Sequence, residues 1–137
     1  MPSSITVQTI VNAPMEKVWD CWTNPQHITH WAFASDDWEA PHAENDLRVG
    51  GKFVTVMAAK DKSTSFDFNG VYSHVDQHNV IEYSIEGGRK VRVEFESLPE
   101  GIQVTEIFEA ETINSDDKQR DGWQAILDNF KKYVEAN

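Results

Sequence analysis

From Trp38 to Ala110 the sequence keeps the two-residue period of β-strands. Turn-forming residues break it at Gly50-Gly51, Lys60-Asp61-Lys62-Ser63, Asp76-Gln77-His78-Asn79, Gly87-Gly88 and Pro99-Glu100-Gly101. The breaks divide this run into six strands. Parallel neighbours need long crossover connections, and these connections are short, so the strands pair antiparallel. Within Lys90–Glu96, Val91, Val93 and Phe95 alternate with Lys90, Arg92, Glu94 and Glu96. The sheet therefore has one dry face and one wet face.

The flanks complete the pattern. Ile5–Val11 is β-branched and partly alternating, which predicts a first strand. Asn12 or Ala13 is the expected N-cap of a helix from about Pro14 to Thr23, with Val18, Trp19 and Trp22 at helical spacing. Asn24-Pro25 starts a second short helix that ends near Trp31, and Ala32–Trp38 is a loop. After the sheet, Asn114 or Ser115 can cap a long helix, and Asp116-Asp117 suit the positive end of its dipole. Trp123, Ile126, Leu127, Phe130, Tyr133 and Val134 form its apolar stripe. The expected fold is α+β: a seven-stranded curved antiparallel sheet around a long C-terminal helix, with two short helices after the first strand. It is one domain over residues 1–137, with its core at about 5–134. A strongly curved sheet cannot follow a helix along its whole length, so a cavity is expected at one end.

The chain carries 12 Lys+Arg against 23 Asp+Glu, a net charge of −11. That balance repels phosphate backbones and anionic lipid, which disfavours nucleic-acid and membrane-surface partners. A single cysteine, Cys21, excludes an intramolecular disulfide. The opening residues MPSSITVQTIV lack the basic and apolar regions of a signal peptide, so a cytoplasmic location is expected.

Four motifs carry a family resemblance. Pro14, Val18-Trp19, Thr23, Pro25 and Trp31 fit P-x-x-x-V-W-x-x-x-T-x-P-x-x-x-x-x-W. Asp46-Leu47-Arg48-Val49-Gly50-Gly51 with Phe53 fits D-x-R-x-G-G-x-F. Phe68, Gly70 and Tyr72 fit F-x-G-x-Y, and Gly122-Trp123 with Leu127 fits G-W-x-x-x-L. In this order they resemble the domain shared with activators of heat-shock protein 90 ATPase, within the START-like, helix-grip superfamily (SRPBCC). The resemblance spans about Ile5 to Val134. It implies the fold above and a hydrophobic cavity, and it links the chain to stress response. It does not fix an activity, because members include lipid carriers, polyketide cyclases, resistance proteins and co-chaperone domains. The full eukaryotic co-chaperone carries a further large domain, so this chain alone is expected to stimulate the chaperone ATPase barely.

The residues expected to face a ligand are Trp22, Trp31, Phe53, Met57, Phe66, Phe68, Tyr72, Val93, Phe95, Glu106, Phe108, Trp123 and Leu127. Thr55, Val91, Val104 and Phe130 share their faces. Plain core packing is the competing account of most of them. Glu106 stands apart. If Val104 and Phe108 face the core, strand parity takes Glu106 inward too, where a carboxylate needs a partner or a proton. The opposite register would turn Thr105 and Ile107 inward instead.

Other clusters read as structural. Asp36, Asp37, His42, Glu44, Asn45 and Asp46 lack the fixed spacing of a metal motif, and Asp46 with Arg48 is expected to form a local ion pair. His27 and His30 are expected to be partly exposed, and Cys21 to serve packing. No cofactor and no metal is expected. The leading expectation is a binding module, monomeric or weakly dimeric, that holds an apolar or aromatic small molecule, oriented by Glu106, Tyr72 or Arg48. The alternatives are a cyclase- or hydrolase-like enzyme using Glu106 or Tyr72, and a module that binds a chaperone through its surface.

Overall fold

Proline and asparagine set the first elements. In the computed structural model, which describes residues 4–137, β1 (Ser4–Val11) leads into α1 (Met15–Thr23) and α2 (Pro25–Ile28). Met1–Ser3, part of the stretch read for a leader, lie outside the described residues. Pro14 itself is the N-cap of α1, in place of the expected Asn12 or Ala13. Its ring fixes φ at −64°, which suits the extended cap conformation, and its carbonyl accepts from the N–H groups of Lys17 and Val18. Asn24 caps α2 by accepting from the Gln26 N–H at 3.0 Å. The helix closes at Ile28, and turns carry the chain on to Trp31.

Six more strands follow: β2 (Trp38–Asn45), β3 (Lys52–Ala59), β4 (Ser65–Asp76), β5 (Val80–Ile85), β6 (Lys90–Leu98) and β7 (Gly101–Glu109). Then comes α3 (Asp116–Ala136). Of its two candidate caps, Ser115 accepts from the Lys118 N–H, while Asn114 bonds Glu111. The strands form one antiparallel sheet in the order β1-β7-β6-β5-β4-β3-β2. Register shifts at Glu39/His42 and Tyr72/His74 interrupt the ladders of β2 with β3 and of β4 with β5, and such irregularities bend a strand. The curved antiparallel sheet and long C-terminal helix are those expected from the sequence.

Alternation places Val91, Val93 and Phe95 of β6, and Val104, Glu106 and Phe108 of β7, on the buried face. Leu127, Phe130 and Val134 of α3 are fully buried with them. Phe130 meets Trp22 and Trp31 edge-on, with ring centroids 4.9 and 4.8 Å apart. Polar ties fix the helix along β1: Lys131 Nζ donates to the Ile10 carbonyl at 2.7 Å and Gln124 Nε2 to that of Gln8 at 3.2 Å. These donors satisfy backbone acceptors on a strand at the end of the sheet order. Among the described residues no helix is long and apolar enough to cross a membrane.

Leu127 has no exposure and lies at the centre of this seat. Leu127→Ala should lower the unfolding free energy by about 2–5 kcal/mol in denaturant titration. A loss below about 0.5 kcal/mol, the scatter of surface substitutions, would show that the helix is not docked this way.

Candidate functional site

The second half of α3 is packed solid, while its first half touches the sheet through Trp123 on Phe108 and Gln124 on Gln8 and leaves space beside these contacts. Between that half, the inner faces of β3, β4 and β5, and the α1–α2 corner lies a cavity of about 400 Å³. Sites for small molecules span roughly 300–1,000 Å³. Its walls are aromatic. Trp22 and Trp31 stack at 5.1 Å on the helical side. Phe53, Phe68, Tyr72 and Tyr83 form a cluster on the sheet, with Phe53 and Tyr83 edge-on at 4.9 Å. Trp123 of α3 meets Phe68 edge-on at 5.9 Å. Gly70 permits this crowding, because a Cβ there would lie 2.8 Å from the Phe53 ring and 2.5 Å from the Ser84 carbonyl oxygen.

Glu106 reaches the same space from β7. Its register partners are Val7 and Val93, and it is 6% exposed. Burial pushes its carboxyl up to about 8, and among the described residues no hydrogen bond offsets that effect. Among the described residues, no side-chain oxygen or nitrogen that is sealed from open space lacks a hydrogen-bond partner. The unpartnered carboxyl therefore opens onto the cavity. Burial, with Glu106 nearby, also pushes the Tyr83 phenol well up. The Tyr72 hydroxyl is committed: it donates to Asn45 Oδ1 at 2.5 Å, and Asn45 Nδ2 donates to the Thr23 carbonyl at 2.6 Å.

The polar part of the lining comes from Glu44, Arg89, Glu111, Asn114 and Lys118. The buried Gln119 holds the β7–α3 connection in place. Its Nε2 donates to the carbonyls of Asn114 at 2.9 Å and Glu111 at 3.2 Å, and its Oε1 accepts from the Glu111 N–H at 2.9 Å. Arg89 Nη1 donates to the Glu109 carbonyl at 3.1 Å.

Of the residues expected at the ligand, Trp22, Trp31, Phe53, Met57, Phe66, Phe68, Tyr72, Glu106 and Trp123 line the cavity, as does Thr55. Phe66 is half exposed. Val93, Phe95, Phe108 and Leu127, also expected at the ligand, do not line it. They share the inner face but lie one layer deeper. Phe108 stacks behind Trp123 at 3.8 Å, Phe95 packs under Trp19 and Trp22, and Val93 and Leu127 are fully enclosed. Arg48 is also misplaced as an orienting group: it is exposed and paired with Asp46 at 2.9 Å. Sequence reasoning missed Ile28, Ala32, Ile81, Tyr83, Gly122 and Ile126, along with the polar lining. Parity along β5 was the available signal for Ile81 and Tyr83, and helical spacing to Trp123 was the signal for Ile126. His27 lies outside the lining, bridging Asp20 at 3.1 Å and the Tyr133 hydroxyl at 2.6 Å. Cys21 is buried.

The chain matches the family described as activator of Hsp90 ATPase homolog 1-like protein over residues 12–135. It is similar to the solution structure of an AHSA1-like protein from Aeromonas hydrophila, with 42% identity and a TM-score of 0.93 over 98% of this chain and 93% of that one. A Cytophaga hutchinsonii protein is 49% identical, with a TM-score of 0.83 over 98% of this chain and 93% of that one. A crystal structure from Chromobacterium violaceum shares the fold at 22% identity, with a TM-score of 0.87 over 99% of this chain and all of that one (100%). No curated protein matches the chain.

The position of Glu106 predicts a pH dependence. Its folded pKa is about 8 against an ordinary 4.5, so between these values the folded state holds more protons than the unfolded one. Stability should therefore fall as pH rises from about 4.5 to about 8. Glu106→Gln removes that slope, and its melting temperature should gain on the wild type's steadily across the window. A constant difference between the two curves would mean that Glu106 titrates normally and faces water.

Proposed function

We propose that this chain, which belongs to the activator of Hsp90 ATPase homolog 1-like family, is a cytoplasmic binding module that holds an apolar or aromatic small molecule between sheet and C-terminal helix. The observation that carries this reading is the cavity of about 400 Å³, walled by aromatic rings and containing one unpartnered carboxyl. Removing apolar surface from water there supplies about 25 cal/mol per Å², before ordering costs. The walls need little rearrangement, because Phe108 and Phe95 brace Trp123 and Trp22 from behind.

Acid–base catalysis is the second reading, and Glu106 favours it. A carboxyl with a pKa of about 8 holds its proton at neutral pH and can donate it. Tyr72, the other expected acid, has its hydroxyl engaged by Asn45, which ranks the enzyme below the carrier. A chaperone partner would act through the outer surface and leave the cavity without a role, so it ranks lower still.

Thermal shift and tryptophan emission with fatty acids, flavonoids and polyketide-like aromatics test the proposal. Trp22, Trp31 and Trp123 line the cavity, so occupancy should change emission. A ligand at about 100 times its Kd should add about 2.7 kcal/mol of stability. A Cβ built on Gly122 meets nothing within 4 Å, so Gly122→Phe should fill the cavity and abolish both responses while the protein stays folded. Silence across this panel and across neutral, acidic and amine probes with an apolar body, or an undiminished response in Gly122→Phe, would refute the reading.

A further inference from the structure

We propose that the ligand is an organic cation, an ammonium compound whose charge sits against Glu106 and whose apolar body lies among the aromatic walls. This rests on the cavity being a binding site and specifies the chemistry that it accepts.

Three observations point the same way. The first is the choice of side chain. Glu106 lies between Val7 and Val93, and an apolar residue there would avoid the cost of burying an unpartnered polar group. An amide or a hydroxyl would be enough to hydrogen-bond a neutral ligand. What a carboxyl adds is the capacity to become an anion. The second is the walls. Ring faces attract cations through their quadrupole, and Trp22, Trp31, Phe53, Phe68, Tyr83 and Trp123 surround the space. A desolvated ammonium is well served by one carboxylate and several ring faces. The third is the field. Arg89 and Lys118 balance Glu44 and Glu111 in the lining, so the field comes from the whole chain, which carries −11. Such a field raises the local concentration of cations and lowers that of anions.

The protonation balance follows. In the empty cavity, burial favours the neutral carboxyl. When the cation enters, the Glu106 O–H bond breaks, its proton goes to the buffer, and the carboxylate pairs with the ammonium. Binding therefore releases a proton at pH values below the carboxyl's own pKa, and affinity rises with pH across that range.

Calorimetry with three matched probes, 4-phenylbutylamine, 4-phenylbutan-1-ol and 4-phenylbutyric acid, tests this between about pH 6.5 and about pH 8.5. Buffers of different ionisation enthalpy report the proton. The amine should bind at least about tenfold more tightly than the alcohol or the acid near neutral pH. Its affinity should rise with pH as a proton is released. In Glu106→Gln the preference for the amine over the alcohol should fall to about one, and the pH dependence should vanish. The wild-type pH series stands on its own should that variant fold poorly. If the alcohol or the acid binds as well as the amine, or if the amine binds without releasing a proton, the cation assignment is wrong while the binding cavity stands. If all three probes and the apolar panel are silent, both readings fall.

Discussion

Leu127, Phe130 and Val134 seat the second half of α3 in the sheet, and none of them keeps any exposure to water. This seat sets the geometry of everything around it. The helix runs along β1, with Lys131 and Gln124 reaching carbonyls on that strand. Phe130 meets the Trp22–Trp31 stack, so the same contact positions the α1–α2 corner. With the second half of the helix seated and the first half held at β1 and β7 by Gln124 and Trp123, the space over β3, β4 and β5 is left incompletely filled. The cavity is the volume left over. It is kept open by rings too large to collapse into one another, and by Gly122, which leaves its wall without a side chain.

Glu106 is inward because strand parity leaves it nowhere else to go. Val104 and Phe108, two residues to either side, are fully enclosed, and a one-residue slip would expose both. The backbone thus holds a carboxyl in an apolar interior without providing a partner. Local strain or unpaired polarity that a fold tolerates in a cleft marks functional sites more often than chance. Here it gives an otherwise apolar cavity a group that can change charge when something enters.

The aromatic residues work in two layers. Trp22 and Trp123 present surface to the cavity, while Phe95 packs behind the first and Phe108 behind the second. A prediction of facing residues by periodicity assigns both layers to the site, because both lie on the same side of the sheet. The deeper layer acts on a ligand only through the rings that it braces.

Much of this was legible in the chain itself. Turn residues at fixed places cut out six strands, alternation within Lys90–Glu96 set which face is dry there, and the stripe from Trp123 to Val134 required a helix on that face, while Val104–Phe108 allowed two registers that the structure decides for Glu106 inward. These are local properties, set by backbone periodicity and by the tendency of apolar side chains to leave water. Periodicity gives direction and not depth, so it could not separate Phe108 from Trp123 or Leu127 from Ile126. Depth depends on how far the helix stands from the sheet at each point along its length, and the contacts that fix this join distant parts of the chain. Asn129 bonds the Trp31 carbonyl across 98 positions, and Asn45 links Tyr72 to Thr23. The sequence determined the elements and the faces they bury. Only the tertiary structure decided where that burial is incomplete, and so where the cavity lies and which residues line it.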